Sequence, residues 1–298
     1  MNTDPNVPFM RLSTLFHLLR PRQWIKNAFV VAPLFFSAAH WTLQSVKDVS
    51  LGVVVFCLLS SAIYIFNDIF DRKADQLHST KKHRPLASGA VSLSTAWVLF
   101  TLLSLIGINL TFFLGGSFLW FALGYYILQI FYCFWLKHIS LIDVVVISLG
   151  FVLRVLAGAA LIATTPTPWI IIMTTLLALF QGLAKRRDDL VREVDGSHRP
   201  SLRGYNKHFL DVSISVILGS LLVAYLIFTT DQFVIARFGT ENLFYTTPLV
   251  ILGILRYLQI TLVEEKSGSP TEIVLRDRFL ILSILGWIIS FVLVTHAG

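Results

Sequence analysis

Nine long apolar runs constrain this sequence more than any other feature. About twenty apolar residues are enough to carry a helix across a bilayer core. The runs lie at roughly residues 25–43, 49–69, 92–111, 117–136, 141–162, 168–185, 211–230, 243–262 and 279–296. They lack the alternation of membrane β-barrel strands, and the chain is 55% hydrophobic and only 14% charged, with a mean hydropathy of +0.74. The sequence therefore predicts an all-α integral membrane protein, a bundle of nine transmembrane helices.

The lysines and arginines are unevenly distributed between the two ends of these runs. Twenty of the 24 fall in the N-terminal segment or in every second connection, whereas Lys47 and Arg237 fall on the opposite side and Arg154 and Arg256 within predicted spans. Because basic residues concentrate on the cytoplasmic side of membrane proteins, the N-terminus is predicted to be cytoplasmic and the C-terminus outside. Topology then explains most of the formal charge of +7, and no nucleic-acid partner is predicted.

Polar residues are concentrated in two predicted cytoplasmic loops, at about residues 70–91 and 186–210. We predict a single transmembrane domain over residues 1–298, located in the cytoplasmic (inner) membrane, in which these loops cap an active site that faces the cytoplasm.

Cys57 and Cys133 lie in apolar runs, and neither they nor the eight histidines show metal-ligand spacing. The sequence thus indicates neither a disulfide framework nor a zinc site.

An acidic motif follows the second apolar run. It reads Asn67-Asp68-Ile69-Phe70-Asp71-Arg72-Lys73-Ala74-Asp75. If the helix continues, a rotation of about 100° per residue places the three aspartates within a stripe about 60° wide, with Asn67 on its flank. Carboxylates so arranged repel one another unless a cation lies between them, and an all-oxygen set suits Mg²⁺. The motif predicts a Mg²⁺-diphosphate site; the alternative is a solvated helix end whose acids pair with Arg72 and Lys73.

This motif and the number of spans resemble the UbiA superfamily of intramembrane prenyltransferases, which carries such a motif after its second helix. Most members have a second aspartate-rich motif after the sixth helix. Here that place reads Lys185-Arg186-Arg187-Asp188-Asp189. Bases outnumber acids in it, which favours anions with more negative charge than one diphosphate.

Further stretches are similar to the decaprenyl-phosphate phosphoribosyltransferase branch of that superfamily. They lie at residues 19–27, 75–85, 132–137, 151–154 and 185–190. The resemblance implies a Mg²⁺-dependent enzyme that transfers 5-phosphoribose from phosphoribosyl diphosphate to a polyprenyl phosphate lipid and releases diphosphate. The branch often has glutamate where this chain has Asp189, whose side chain is one methylene shorter.

The resemblance and the charges of the substrates together give the expected site residues. The metal ligands are predicted to be Asn67, Asp68, Asp71 and Asp75, and the catalytic residues Asp68, Asp71 and Lys185. The predicted substrate contacts are Lys26, Asn67, Arg84, Tyr132, Arg154, Lys185, Arg186 and Asp189. Because a phosphate monoester is already ionised near neutral pH, the reaction needs no dedicated general base.

The stretch from residue 185 to 193 is also compatible with the start of an amphipathic helix with i, i+4 pairs such as Asp188 with Arg192, and with the usual excess of basic residues in cytoplasmic loops. Structural roles stay open for three further residues. Tyr132 is equally typical of the aromatic belt of a membrane protein. Arg84 is also compatible with the usual excess of basic residues in cytoplasmic loops. Arg154 lies about 16 Å along its helix from Asp143. An unpaired charge at that depth costs at least about 2.5 kcal/mol, so Arg154 must face the bundle interior and bind either phosphate or a buried acid or carbonyl group.

Two other functions are compatible with the chain. Prenyl transfer from a prenyl diphosphate to an aromatic acceptor, as in quinone biosynthesis, would favour acids over bases at 185–189. A transporter of an anionic metabolite would spread polar groups across the membrane and show inverted repeats, which the sequence does not. The sequence leaves open the isoprenoid length and whether the protein is a homo-oligomer.

Overall fold

Helices form all of the regular secondary structure in the part of the chain that the structure describes. A computed structural model describes residues 12–37, 42–78, 81–192, 200–264 and 270–296, and these ranges contain no strand. The α-helices are α1 Leu12–Leu19, α2 Ala32–Phe35, α3 Leu43–Leu77, α4 Leu93–Leu114, α5 Gly116–Phe134, α6 Ile142–Leu161, α7 Pro168–Arg192, α8 Lys207–Thr230, α9 Gln232–Phe238, α10 Thr247–Leu258, α11 Pro270–Arg276 and α12 Arg278–His296. The prediction of an all-α chain is confirmed.

Eight of the described helical segments are long and apolar enough to cross a membrane. They are α3 to α8, α12 and the segment Asn242–Val263, which contains α10 and a π-helical turn at Gln259–Val263. The first predicted span, residues 25–43, differs. It begins within a 3₁₀ helix at Pro21–Val30 and continues into the four-residue α2, and residues 38–41 lie outside the described ranges. The nine-helix count and the sides of the two termini therefore stay predictions.

Pro33 gives the physical reason why this first segment is not one α-helix. Proline has no N–H to donate, and its ring clashes with the carbonyl group four residues earlier, so the chain changes helix type before it.

The segment at Pro21–Val30 also runs very close to α6. A Cβ atom on Gly158 would lie 2.0 Å from the carbonyl oxygen of Val30. Only glycine allows the two backbones to approach this closely.

The chain divides into two compact units. Unit 1 comprises Met1–Lys137 and Gly150–Pro166. In its described part, α3 packs against α4 and α5, around a core cluster that includes Val55, Phe56, Leu59, Phe118 and Tyr125. Thr42 caps the N-terminus of α3 by accepting a hydrogen bond from the Ser45 backbone N–H. The helix then continues for 35 residues, so the acidic motif lies on a continuous helix, as predicted.

Unit 2 comprises His138–Leu149 and Thr167–Gly298. In its described part, α7 packs against α8 and α10 against α12. The core cluster includes Phe180, Leu183, Leu210, Ile214 and Tyr257.

Both predicted loops begin inside helices. α3 continues to Leu77 and α7 to Arg192, because apolar content marks only the part of a helix that lies in lipid and not the polar turns beyond it. Residues 79–80 and 193–199 of these loops lie outside the described ranges. The single domain over 1–298 and the capping role of the two loops stay predictions.

Candidate active site

The acidic end of α3 is paired with basic side chains from distant parts of unit 1. Asp68, whose side chain is 2% exposed, accepts hydrogen bonds from Arg20 Nη2 at 2.5 Å and from Arg84 Nη1 at 3.1 Å. The same Nη1 atom donates to Asp75 Oδ2 at 2.6 Å. Arg84 thus bridges two of the three aspartates through a single nitrogen atom.

The third aspartate has its own cation. Lys137 Nζ donates to Asp71 Oδ1 at 2.6 Å and to Asn67 Oδ1 at 3.1 Å, and Asn67 Nδ2 donates to Asp71 Oδ2 at 2.9 Å. The three groups form a closed set in which the amide oxygen faces the ammonium group and the amide nitrogen faces the carboxylate. Lys137 is only 5% exposed, so its side of this contact is shielded from solvent, which makes the pair stronger than one between two exposed groups.

The three carboxylates are therefore matched by three cations. The alternative in which they pair with Arg72 and Lys73 is not observed among the described residues; the partners are Arg20, Arg84 and Lys137. Nor do the described residues include a group of three or more acidic, histidine or cysteine side chains gathered closely enough to hold a metal ion. The helical face is as predicted, whereas the assignment of its residues as metal ligands stays a prediction.

Arg20 has a strained backbone conformation, which contacts of this segment with α3 hold in place. Its φ of 53° and ψ of 56° lie in the left-handed region, which costs a non-glycine residue roughly 1–2 kcal/mol. The preceding residue, Leu19, accepts a hydrogen bond from Ser61 Oγ at 2.9 Å, and Trp24 Nε1 donates to the same Ser61 Oγ at 3.0 Å. The Arg20 guanidinium lies 5.1 Å from the centre of the Tyr64 ring. Such strain persists where the surroundings hold it, most often at functional sites.

Arg154 is a buried cation without a carboxylate partner in the described chain. It is 5% exposed. Its Nε donates to Asn27 Oδ1 at 2.9 Å, Nη1 to the Gly150 carbonyl oxygen at 2.9 Å and Nη2 to the Tyr125 hydroxyl at 2.8 Å. Its guanidinium also lies 4.4 Å from the centre of the Tyr125 ring. Of the two structural partners expected from the sequence, a carbonyl group is present, whereas no acid contacts Arg154 within the described ranges.

Lys26 lies one residue before Asn27 and makes no hydrogen bond or ion pair with the described residues. The Lys26 side chain is half-buried, and the Arg154 cation acts electrostatically on its ammonium group. Tyr132 acts electrostatically on the same ammonium group and is packed against the buried cluster of Ile63, Phe66 and Cys133. Lys26 and Arg154 together make this part of unit 1 positive, in contrast to the neutralised acidic face.

Unit 2 contains a second ionic cluster at the end of α7. Arg186 and Asp143 are both fully buried, with 2.6 Å between Arg186 Nε and Asp143 Oδ2, and Arg186 Nη1 donates to Asp189 Oδ2 at 2.8 Å. Tyr205 donates from its hydroxyl group to Asp143 Oδ1 at 2.9 Å, and burial raises the pKa of Tyr205. Lys185, by contrast, is exposed. This cluster places Arg186 and Asp189 in contact with each other, and Lys185 on the surface.

Comparison with known proteins identifies the family. The model of the UbiA prenyltransferase family matches residues 28–292. The chain belongs to the UbiA prenyltransferase family. This UbiA protein is 32% identical over 287 residues to the decaprenyl-phosphate phosphoribosyltransferase of Corynebacterium glutamicum, covering 93% of this chain and 85% of the relative. It is 31% identical over 289 residues to the protein of that name from Mycolicibacterium smegmatis, covering 93% and 91%.

Solved structures show the same fold. A UbiA homologue from Archaeoglobus fulgidus bound to GPP and Mg²⁺ superposes with a TM-score of 0.70 at 21% identity, covering 95% of this chain and 99% of the homologue. The same homologue bound to DMAPP and Mg²⁺ gives a TM-score of 0.68 at 20% identity, covering 96% and 100%. The resemblance predicted from the sequence is confirmed: this UbiA family member is an integral membrane enzyme, a transferase.

Sequence reasoning missed several residues that the structure of this UbiA protein places in the two clusters. Arg20 and Lys137 lie inside stretches that carry the family resemblance, 19–27 and 132–137, and this was the available signal. Asp143 is an acid at the start of a predicted span, where a buried partner is expected. Asn27 also lies in the stretch 19–27, whereas no sequence signal marked Tyr205, because a buried tyrosine is common in any core.

Proposed function

We propose that the enzyme transfers 5-phosphoribose from phosphoribosyl diphosphate to a polyprenyl phosphate, with Mg²⁺ as cofactor and diphosphate as leaving group. One observation carries the proposal: the basic side chains of unit 1 include some that are paired with carboxylates and some that are not. Three bases are neutralised by the acidic face, whereas Lys26 and Arg154 have no carboxylate partner among the described residues. A phosphate monoester, with up to two negative charges, is the acceptor that two such cations match best. The names of the relatives support this substrate pair.

The acidic face fits a magnesium ion by the chemistry of its donors. Asn67, Asp68, Asp71 and Asp75 offer only oxygen ligands along one side of α3, which is the kind of set that Mg²⁺ binds together with substrate phosphates. When bound there, Mg²⁺ would neutralise charge that develops on the departing diphosphate. We assign these four residues to the metal, with Asp68 and Asp71 as the catalytic pair.

The arginines beside this face can bind phosphate without leaving it. A guanidinium group carries five N–H donors, and Arg84 uses only Nη1 for its contacts with Asp68 and Asp75. Its Nε and Nη2 are then available to phosphate oxygens. The Arg20 guanidinium, on the other side of Asp68, can contribute in the same way. These groups would hold the diphosphate against the metal and stabilise its negative charge as it departs.

The bond changes require alignment more than proton transfer. An oxygen atom of the polyprenyl phosphate attacks C1 of the ribose, the bond from C1 to diphosphate breaks, and its electron pair leaves with the diphosphate. Because the attacking phosphate is already ionised near neutral pH, no side chain has to remove a proton. The chain must hold the two anions with C1 between them, which alone can lower a barrier by several kcal/mol.

We place the lipid phosphate near Lys26 and Arg154. Arg154 uses three of its five N–H groups for Asn27, Gly150 and Tyr125, which leaves two for an anion. Lys26 supplies an ammonium group with no other partner in the described chain. Tyr132 is proposed to donate to a phosphate or ribose oxygen.

The remaining site residues, the membrane and the topology are proposed from the sequence and its resemblance to the family. Lys185 is a predicted catalytic cation, and Arg186 and Asp189 are predicted substrate contacts that also bind each other. We further propose that the enzyme lies in the cytoplasmic (inner) membrane with the N-terminus and the active site on the cytoplasmic side, and that the segments at 70–91 and 186–210 cap the site.

One assay tests the substrates. Purified protein with Mg²⁺ and ribose-labelled phosphoribosyl diphosphate is expected to label an added polyprenyl phosphate and to release diphosphate, and chelation of the metal is expected to abolish both. If no lipid is labelled, while a prenyl diphosphate and an aromatic acid are joined, the enzyme is instead an aromatic prenyltransferase. Accumulation of an anionic metabolite inside vesicles without chemical change would indicate a transporter.

A matched pair of variants tests the metal assignment. Asp71→Asn is expected to lower activity at least about 100-fold, because it removes one charged ligand oxygen. Asp48→Asn makes the same change near the other end of α3, at a position hydrogen-bonded to Gln44, and is expected to leave activity unchanged. Full activity of Asp71→Asn would remove the metal from this site.

A further inference from the structure

Lys137 occupies the oxygen atoms that the proposed metal site needs. Its Nζ contacts Asp71 Oδ1 at 2.6 Å and Asn67 Oδ1 at 3.1 Å, one oxygen from each of two proposed ligands. The side chain is buried, with 6% exposure against 30% for that of Asp71. A lysine ammonium is a compact point charge, so among the protein's own groups it resembles a bound cation most closely.

The charges at the acidic face are balanced without a metal. Asp68, Asp71 and Asp75 carry three negative charges, and their partners Arg20, Arg84 and Lys137 carry three positive ones. A divalent cation that binds alone must displace or approach these cations, and in a partly desolvated site like charges repel strongly. A diphosphate that arrives with the metal offers the displaced cations a new partner. Metal and anion should therefore bind this face together.

Lys137 differs from the two arginines in what it can do when the metal arrives. Arg84 can keep its aspartates with Nη1 and bind phosphate with its other nitrogens. Lys137 has one nitrogen atom, and both of its contacts in the ligand set are made by that atom. It has no second nitrogen with which to bind phosphate while it stays on Asp71 and Asn67, so its whole charge lies beside the ligand oxygens and opposes the metal directly.

We propose that Lys137 is an internal counter-ion of the acidic face: it holds Asp71 and Asn67 in the absence of metal and weakens the binding of a divalent cation that arrives without its anionic substrate. Lys137 is in this sense a positioning residue. The inference rests on the proposed function, specifically on Asp71 as a metal ligand. It predicts that removal of a positive charge strengthens metal binding, which the loss of a merely structural contact would not do.

The test is Mn²⁺ binding to the purified full-length protein without substrate, measured by electron paramagnetic resonance. Lys137→Met is expected to bind Mn²⁺ about ten-fold more tightly than the wild type, since it removes one adjacent unit charge. Lys137→Gln, which can still hydrogen-bond to Asp71, is expected to show the same gain and provides a second neutral variant if Lys137→Met does not fold. Mn²⁺ should also raise the thermal unfolding temperature of these variants more than that of the wild type.

Lys73→Met is the matched control. Lys73 is exposed and lies two residues after Asp71 on α3, about 200° around the helix. This variant loses the same charge close to the motif but on another face, and its Mn²⁺ affinity is expected to stay within about two-fold of the wild type. If both neutral Lys137 variants bind Mn²⁺ no more tightly than the wild type, or if Lys73→Met gains as much, Lys137 is not a counter-ion of the metal site.

A further variant separates this inference from the proposed function. Asp71→Asn should weaken Mn²⁺ binding, and adding Lys137→Met to it should restore little, because both changes act on one contact. If Asp71→Asn weakens binding while Lys137→Met does not strengthen it, only the counter-ion proposal fails. If none of the proteins binds Mn²⁺ more tightly than Asp71→Asn does, the metal assignment and the counter-ion proposal both fail.

Discussion

The same substitution at two buried arginines of this enzyme should change its stability by very different amounts. Arg186 is fully buried and contacts two carboxylates, one of them the fully buried Asp143. Arg154 is 5% exposed and contacts only neutral groups in the described chain. Replacing each by methionine keeps an unbranched apolar stem and removes the charge. The two variants differ in whether a buried carboxylate is left without its cation.

The expected magnitudes follow from the partners. Arg186→Met leaves Asp143 without its cation in a site with no solvent access, which typically costs about 3–5 kcal/mol. Arg154→Met removes a charge that itself costs about 2.5–3.5 kcal/mol at depth in a membrane. It leaves Asn27 Oδ1 and the Tyr125 hydroxyl without one partner each, at about 1–3 kcal/mol per group. The midpoints of these ranges are about 4 kcal/mol lost for the two groups and about 3 kcal/mol gained for the charge, so the net destabilisation by Arg154→Met is expected to be about 1 kcal/mol.

Thermal unfolding of the purified proteins in detergent measures the difference. At about 2 °C per kcal/mol for a chain of this size, Arg186→Met should unfold roughly 6–10 °C below the wild type, and Arg154→Met within about 4 °C of it. The folded Arg154→Met protein should nevertheless lose activity at least about 100-fold, since it lacks a proposed contact to the lipid phosphate. An Arg154→Met protein as unstable as Arg186→Met would make Arg154 structural, and a stable, fully active one would contradict its binding of phosphate.

Two further predictions concern unit 1. Lys26 has no carboxylate partner among the described residues, so Lys26→Met should raise the KM for polyprenyl phosphate in steady-state assays, whereas Lys26→Arg, which keeps the charge, should raise it less; equal rises in the two variants would exclude the charge of Lys26 as the cause. Gly158→Ala should lower the unfolding temperature by several degrees, because its Cβ would lie 2.0 Å from the Val30 carbonyl oxygen, whereas Gly219→Ala, whose Cβ would have no neighbour within 4 Å, should raise it slightly; equal unfolding temperatures for the two variants would contradict the close approach at Gly158.

The acidic motif shows how far local reasoning reaches. Helical periodicity correctly placed Asp68, Asp71 and Asp75 on one face of a continuous helix, because this periodicity depends only on neighbouring residues. The same reasoning offered Arg72 and Lys73 as their possible partners, and the structure pairs them instead with Arg20, Arg84 and Lys137. Two of these three cations were not among the predicted site residues.

The first apolar run shows a second limit. Hydropathy treated residues 25–43 as one spanning helix, whereas the described part is a 3₁₀ helix followed by the short α2. Apolar content measures preference for lipid and not helix type. The presence of Pro33 was visible in the sequence, but the close contact with Gly158 that fixes the path of this segment was not.

The sequence alone determined the membrane class, the helical content, the family resemblance and the acidic face, because apolar runs, periodicity and motifs are properties of adjacent residues. Only the tertiary structure decided which charge meets which. Lys137 reaches Asp71 across 66 residues, Arg20 reaches Asp68 across 48, and Arg154 reaches Asn27 across 127. An arginine has the same charge in the sequence whether it will be paired, as Arg186 is, or left among neutral groups, as Arg154 is; the packing of distant segments sets its partner and therefore its energy and its chemical role.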